Sequence, residues 1–293
     1  MKDIKFGIIT PTYNRPELLL KNIESVKAQK YTNWVHLIID DSTNELTSDL
    51  DIGGEKTIYI KNSSNSGVCF SRNRGIDFFI STDVDYIVFL DDDDFFSLDA
   101  LYNANKYIRK EFMCKWFVSR KIYKGTGKSL TELNIIKDEY NYVNDYLIGK
   151  SIRRDTTHFI DINALRDYKV RFPEDIRGGG EWRFFAHLSE YIDFKFFEGG
   201  NTYIEFHDNG LTVNNKNKLF IATERAALVL YLFERSIFKP KQIEYGVSVV
   251  KHFIKLRRYD LLEAFKSNFI EKQSSAIKYF FKIIVLFLGF KYR

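Results

Sequence analysis

Short apolar runs alternate with helical periodicities over the first 100 residues of the chain. Four of these runs predict buried strands, at residues 5–9, 34–39, 57–60 and 86–90. Between them, apolar residues spaced three or four apart predict helices over residues 17–29 and 69–80. This alternation is typical of βαβ units, so we expect an α/β fold built on a mostly parallel sheet.

The pattern changes further along the chain. It predicts a helix over residues 99–110 and a strand over residues 115–123, and then only loops and short elements as far as residue 152. From about residue 216 it is helical throughout, with candidate helices at 220–238, 241–255 and 260–269. We therefore expect an α/β domain over residues 1–215 and a helical extension over residues 216–293.

The composition indicates a folded cytoplasmic protein. Hydrophobic residues make up 45% and aromatic residues 16% of the 293 positions, which excludes disorder over most of the length. Cys69 and Cys114 lie far apart with no Cys/His cluster near them, so the sequence predicts neither a disulfide framework nor a zinc site. We expect no signal peptide, because Thr10 and Pro11 end the first apolar run too early.

The positive charge is concentrated at the C-terminus. Residues 250–293 carry ten Lys or Arg against three Asp or Glu, a net charge of +7 in a chain whose total is +5. This distribution argues against a nucleic-acid-binding core and favours a tail that meets an anionic surface. The apolar run at 283–290 is too short to span a bilayer, so the tail either lies in the membrane interface or packs on the main domain or a second subunit.

Four consecutive aspartates, Asp91 to Asp94, close the strand predicted at 86–90. Carboxylates packed this closely repel one another, and a bound divalent cation or solvent would relieve the repulsion. Hard oxygen ligands suit Mg²⁺ or Mn²⁺ held against a phosphate. The alternative is a solvated acidic turn that caps the following helix.

The other predicted strands also end in polar residues. Loops after them carry Thr12 and Asp41, and right-handed crossovers place these loops and Asp91 at one edge of the sheet. Ligands of open α/β sheets bind at this edge. The convergence favours a site for a metal and a nucleotide over a solvated turn.

Four motifs in this order and spacing resemble the family 2 glycosyltransferases with a GT-A fold. They are Thr10-Pro11-Thr12-Tyr13-Asn14-Arg15, Ile39-Asp40-Asp41-Ser42, Ser71-Arg72-Asn73 and Phe89-Leu90-Asp91-Asp92-Asp93-Asp94. Gly180-Glu181-Trp182-Arg183-Phe184-Phe185 looks like a later acidic motif of the family, and 207–212 like the loop that follows it. The resemblance covers about the first 190 residues and implies a GT-A Rossmann-like sheet flanked by helices.

The resemblance also implies roles for individual residues at a nucleotide-sugar site. Asp91 and Asp93 correspond to the DxD element that binds Mn²⁺ or Mg²⁺, with Asp93 as the expected direct ligand and His207 as a further candidate. The expected contacts to a donor nucleotide are Pro11, Thr12, Tyr13, Asp40, Asp41, Arg72 and Asp92. Among these, Asp41, or alternatively Asp40, would accept a hydrogen bond from uracil, while the other interpretation of Arg72 is a residue on the helix surface.

Glu181 occupies the position of the family's catalytic base, which is usually Asp and is often preceded by Glu. Here Gly180 precedes it, so the acidic pair is absent, and Glu174 and Asp175 are the competing carboxylates. Without the resemblance, Glu181 is equally a favourable residue for the first turn of a helix.

The resemblance implies an inverting transferase that moves a sugar from a UDP-sugar to a hydroxyl of a glycan or lipid-linked acceptor in bacterial surface polysaccharide synthesis. The basic tail would bring it to the cytoplasmic face of the membrane. A nucleotidyltransferase would carry a glycine-rich basic loop near its N-terminus, which residues 10–16 lack. A catalytically silent GT-A module that binds sugar nucleotides or anchors a complex is the alternative, because of Gly180.

Overall fold

A computed structural model of the chain divides it into two compact units, residues 1–206 and 207–293. The structure describes residues 2–205 except 46, 48, 49, 51, 53, 177 and 178, and beyond them only 223, 224, 226–228, 231, 253, 258 and 260–263. The predicted domain boundary at residue 215 lies outside the described residues.

The first unit alternates strands and helices as far as residue 123 and becomes less regular afterwards. Its strands are β1 (Phe6–Thr12), β2 (Trp34–Asp40), β3 (Thr57–Lys61), β4 (Tyr86–Phe89), β5 (Asp94–Phe96), β6 (Trp116–Tyr123), β7 (Glu132–Leu133), β8 (Ile152–Arg153), β9 (Thr156–Asp161), β10 (Lys195–Phe196) and β11 (Thr202–Ile204). Its helices are α1 (Pro16–Lys27), α2 (Val68–Ile80), α3 (Ala100–Lys110), α4 (Ile162–Asp167) and α5 (Glu181–Leu188), with a π-helical segment at Tyr142–Ile148.

Nine of these strands form one sheet in the order β3-β2-β1-β4-β9-β6-β11-β5, with β10 also paired to β6. The first four strands are parallel, and the register places Thr12 beside Asp40 and Ile9 beside Phe89. The carboxyl ends of β1, β2 and β4 therefore lie next to one another. The predicted α/β fold with a mostly parallel sheet is confirmed.

The sheet also contains antiparallel strands that the sequence pattern did not predict. Strand β9 pairs antiparallel with both β4 and β6, and β5 pairs antiparallel with β11. β9 begins with Thr156, Thr157 and His158, which are polar by type but buried here. A strand of this composition has no apolar run for a sequence pattern to detect.

One hydrophobic cluster of the core lies between the sheet and α3. Leu101, Ala104 and Ile108 of α3 are buried with Phe117 and Phe159 of the neighbouring strands. On α2, Gly75 allows a close approach to the sheet, because a Cβ atom there would lie 2.6 Å from the side chain of Ile9. This close approach holds α2, which carries Arg72, against the strand that ends at Thr12.

In the second unit, the described residues 223, 224, 226–228, 231, 253 and 260–263 are helical and fall within the three predicted helices. The remainder of those helices and the apolar tail at 276–290 lie outside the described residues. Within the part of the chain that the structure describes, no helix is long and apolar enough to cross a membrane.

Candidate active site

The aspartate run forms a turn between β4 and β5 rather than a cap on a helix. Asn22 of α1 fixes the turn by donating hydrogen bonds to the carbonyl oxygens of Asp91 (2.9 Å) and Asp94 (2.8 Å). The side chains alternate: Asp91 and Asp93 are 39% and 29% exposed, whereas Asp92 and Asp94 are buried. The alternative of a solvated helix cap is wrong, because half of the run is buried and a strand follows it.

Basic side chains offset the charge of the run. Arg15 Nη1 lies 3.3 Å from Asp92 Oδ1 and 3.1 Å from Asp93 Oδ2. Arg72 Nη2 lies 2.7 Å from Asp91 Oδ1, and Lys121 Nζ lies 2.7 Å from Asp94 Oδ2. The repulsion that the sequence predicts is thus relieved in part by the chain itself. Burial and the neighbouring charge of Asp93 nevertheless raise the pKa of Asp92 to about 7.

The end of β1 lies directly against this turn. Thr12 Oγ1 donates a 2.8 Å hydrogen bond to Asp92 Oδ2, and both residues are buried. Pro11 is buried in the strand, whereas Tyr13 follows it with 44% of its surface exposed. Of the residues predicted in this loop, Tyr13 is the one with a face available for a planar ligand.

Asp40 and Asp41, at the end of β2, are both buried and hydrogen-bonded. Asp40 accepts a 2.5 Å bond from the Tyr59 hydroxyl, and burial together with this carboxylate raises the pKa of Tyr59. Asp41 accepts bonds from Asn62 Nδ2 (2.7 Å) and from the amides of Ser66 (2.9 Å) and Gly67 (2.8 Å). Asp41 therefore orders the loop after β3 at the same edge of the sheet.

Glu181 begins α5 and faces the aspartate turn. Its Oε1 accepts a 2.8 Å bond from Arg72 Nη1, and its side chain is 44% exposed. The two competing carboxylates are engaged elsewhere: Glu174 accepts a bond from Asn73 (2.7 Å), and Asp175 pairs with Arg183 (3.0 Å). Glu181 is thus the carboxylate of this segment that is linked to the aspartate turn.

The preceding residue is glycine for a conformational reason. Gly180 has a φ of +83°, in the left-handed region. A Cβ atom at this position would lie 2.4 Å from Ile176 Cδ1 and 2.9 Å from Pro173 Cγ. An acidic side chain at position 180 would therefore have a strained backbone and would displace Ile176 or Pro173.

This arrangement can be compared with known protein families. The model of one family, described as glycosyl transferase family 2, matches residues 7–171, which is more than half of the chain. The chain belongs to glycosyl transferase family 2. The fold of the family 2 domain is also that of solved structures: the structure of Staphylococcus aureus TarS residues 1–349 in complex with UDP-GlcNAc aligns over 92% of this chain and 80% of that chain, with a TM-score of 0.64 and 14% identity.

Relatives match about a third of the chain. The putative colanic acid biosynthesis glycosyl transferase WcaA of Escherichia coli is 37% identical over 92 residues, which cover 30% of this chain and 32% of the relative. The amylovoran biosynthesis glycosyltransferase AmsB of Erwinia amylovora is 33% identical over 107 residues, covering 34% of this chain and 35% of the relative. The chain thus spans about a third of the length of these two relatives.

At the aspartate turn, Asp91 and Asp93 could supply some of the ligands that a divalent cation needs. Asp91 and Asp93 reach the solvent-facing side of the turn, and each uses one carboxylate oxygen in its ion pair, at Oδ1 and Oδ2 respectively. The remaining oxygens are hard donors suited to Mg²⁺ or Mn²⁺. No group of three or more Asp, Glu, His or Cys within the described residues could hold a metal ion. His207, the third predicted ligand, lies outside them.

Several residues that support this site have no role predicted from the sequence. Lys121 is buried and pairs with both Asp94 (2.7 Å) and Asp155 (2.8 Å), and these carboxylates outweigh the effect of burial and raise its pKa well above the ordinary value. A lysine in an apolar strand is the signal that could have found it, because a buried ammonium requires carboxylate partners. Arg15 ends the first of the four motifs but has no predicted role there, and Asn22 of α1 carries no signal in the sequence.

Proposed function

We propose that this chain is a metal-dependent inverting glycosyltransferase that uses a UDP-sugar in the synthesis of a bacterial surface polysaccharide. One observation carries the proposal: the carboxylates of Glu181 and Asp91 bind the same guanidinium, at 2.8 and 2.7 Å. A candidate base and the candidate donor-phosphate turn are thereby held side by side. Sugar transfer needs both, since an acceptor hydroxyl must lose a proton as a diphosphate leaves.

In the proposed reaction, Glu181 takes the proton of the acceptor hydroxyl. The oxygen attacks the anomeric carbon from the face opposite the diphosphate, the bond between that carbon and the phosphate oxygen breaks, and UDP leaves with the electron pair. A divalent ion bound at Asp91 and Asp93 would neutralise the charge on the leaving diphosphate. The acceptor would be a glycan or a lipid-linked sugar, in keeping with the relatives named for colanic acid and amylovoran biosynthesis.

The donor site would lie at the carboxyl ends of β1, β2 and β4. The exposed ring of Tyr13 would stack near the nucleobase, and the Asp41-ordered loop would border it. Asp40 and Asp41 already accept hydrogen bonds from the chain. A nucleobase that donated to either carboxylate would therefore share it with these donors.

The experiment is to measure UDP release from a panel of UDP-sugars with Mn²⁺ or Mg²⁺. We expect metal-dependent release from one donor, its loss in Asp93→Ala, and intact UDP binding without transfer in Glu181→Gln. Glu174→Gln is the matched control, because Glu174 bonds to Asn73 and not to the site. Binding of UDP with no release from any donor would instead favour a silent module, and unchanged transfer in Glu181→Gln would exclude Glu181 as the base.

A further inference from the structure

We infer that Arg72 is a positioning residue for Glu181 rather than a contact to the donor nucleotide. The inference rests on the proposed function, because it assigns Arg72 a part in the same transfer reaction. It concerns how a base of unusual length is held in place. A glutamate carries its carboxylate one methylene further from the backbone than the aspartate usual in the family.

The geometry of Arg72 commits its side chain to two carboxylates. Nη1 donates to Glu181 Oε1 at 2.8 Å and Nη2 donates to Asp91 Oδ1 at 2.7 Å. The remaining nitrogen, Nε, is buried without a hydrogen-bond partner among the described residues. Two of the five N–H donors are thus used by carboxylates, and because only 6% of the side chain is exposed, the other donors have little access to a nucleotide.

The surroundings of Arg72 hold this geometry. Only 6% of its side chain is exposed, and its guanidinium carbon lies 5.3 Å from the ring centre of Phe172 and 5.9 Å from that of Phe89. Cations are attracted to aromatic faces at such distances. A buried charge is tolerated only where it is paired, so both carboxylates are bound to a cation that cannot easily turn to solvent.

The consequence for Glu181 is a fixed carboxylate. At 44% exposure, a glutamate in the first turn of a helix would otherwise sample several rotamers. The bond to Arg72 fixes Oε1, while Oε2 has no hydrogen bond from the described residues and is available to an acceptor hydroxyl. General-base catalysis depends on such alignment, and a misplacement of about 1 Å can cost about 100-fold in rate.

The test compares Arg72→Gln and Arg72→Lys in the full chain, using the UDP-sugar that the wild type turns over. We expect Arg72→Gln to lower kcat by about 100-fold, while the donor KM and the Kd for UDP, measured by isothermal titration calorimetry, change by less than about threefold. Arg72→Lys, which retains the charge, should recover part of kcat. When Glu181→Gln is already present, adding Arg72→Gln should lower kcat little further, because the effects of substituting residues that act as a unit are not additive.

Arg171→Gln is the matched control, since Arg171 also forms an ion pair, with Asp77 at 2.8 Å, but has no contact with Glu181 or Asp91. Its effect on kcat should be small and additive with Glu181→Gln.

A Kd for UDP that rises as much as kcat falls would overturn the inference in favour of a donor contact, and so would unchanged transfer in both Arg72 variants. If Arg72→Gln does not fold, the same criteria apply to Arg72→Lys. Failure of the proposed function has a different signature, because the wild type itself would then release no UDP from any donor.

Discussion

At the scale of single residues, Gly180 shows how a departure from a family pattern can follow from backbone geometry. The acidic residue that often precedes the base is absent, which could indicate a protein without activity. The left-handed backbone and the contacts with Ile176 and Pro173 explain the glycine without reference to activity. The departure therefore bears on how α5 begins, and Glu181 keeps its place beside Arg72.

Gly180→Ala should be strongly destabilising. A left-handed conformation costs an L-residue about 1–2 kcal/mol, and overpacking adds about 1–3 kcal/mol. We expect the free energy of unfolding, measured by urea denaturation, to fall by at least about 2 kcal/mol. Gly125→Ala is the control, because a Cβ atom there meets nothing within 4 Å, and it should change stability little. Equal stability of the two variants would show that the crowding at Gly180 is absent.

His36 predicts a pH dependence of stability at the same scale. Burial, with a smaller contribution from the charge of Lys27, lowers its pKa from 6.5 to about 3. Between these values the unfolded chain binds a proton at His36 and the folded chain does not, so folding is disfavoured as the pH falls. From pH 7 to pH 5 this amounts to about 2 kcal/mol.

His36→Gln should remove this contribution. Wild type and variant are compared by urea denaturation at pH 7 and pH 5. The wild type should lose about 2 kcal/mol more than the variant over this interval, whatever the other titrating groups contribute to both. Parallel losses in the two proteins would contradict the lowered pKa of His36.

At the scale of secondary-structure elements, Lys121 connects three parts of the sheet. It lies on β6, pairs with Asp94 at the start of β5, and pairs with Asp155 just before β9. The Asp94–Lys121 pair is buried on both sides, with side-chain exposures of 7% and 9%. Removing one partner of such a pair leaves an uncompensated buried charge, unlike the loss of a surface pair.

Lys121→Met should therefore lower the free energy of unfolding by about 3–5 kcal/mol, measured in urea. Adding Asp94→Asn should recover part of the loss, because the unpaired carboxylate is then removed. Lys124→Met is the matched control, because Lys124 is half exposed and pairs with Glu205. This substitution should lower the free energy of unfolding by less than about 1 kcal/mol. Similar losses for Lys121→Met and Lys124→Met would argue against a buried pair.

Elements with a strong apolar pattern could be predicted from the sequence, and those held by tertiary contacts could not. The strands ending at Thr12, Asp40 and Phe89 were found because both faces of a parallel strand are buried and the run is continuous. Strand β9 was missed because Thr157 and His158 are buried through hydrogen bonds to Thr202, Trp116 and Thr156 rather than by apolar character.

The same distinction holds for the candidate site. Its aspartates and Glu181 could be predicted because they lie in motifs whose order along the chain resembles that of the family. For Arg72 the sequence allows either a contact to the nucleotide or a position on the helix surface, and the surface interpretation is wrong because Arg72 is buried. Its pairing with Glu181 joins residues 109 positions apart, and no local pattern encodes such a contact.

At the scale of the whole molecule, charge is separated along the sequence. Residues 250–293 carry a net +7, so the other residues sum to −2. Basic clusters next to apolar residues favour anionic lipid surfaces, at about 1 kcal/mol per Lys or Arg near the surface. Since lipid-linked acceptors are one expected substrate class, a tail that meets the membrane would bring enzyme and acceptor together.

Deleting residues 276–293 tests this role of the tail. We expect the full chain to bind vesicles of phosphatidylglycerol and phosphatidylcholine in a flotation assay, with binding that weakens as salt rises, and the deleted chain to bind at least about tenfold less. Lys278→Glu with Lys282→Glu should reproduce much of the loss by reversing charge in the tail. Lys110→Glu with Lys128→Glu, at exposed positions of the first unit, makes the same charge change and should leave binding near the wild-type level. Retained vesicle binding in the deleted chain, together with a lower melting temperature or a smaller oligomer, would show that the tail packs on protein instead.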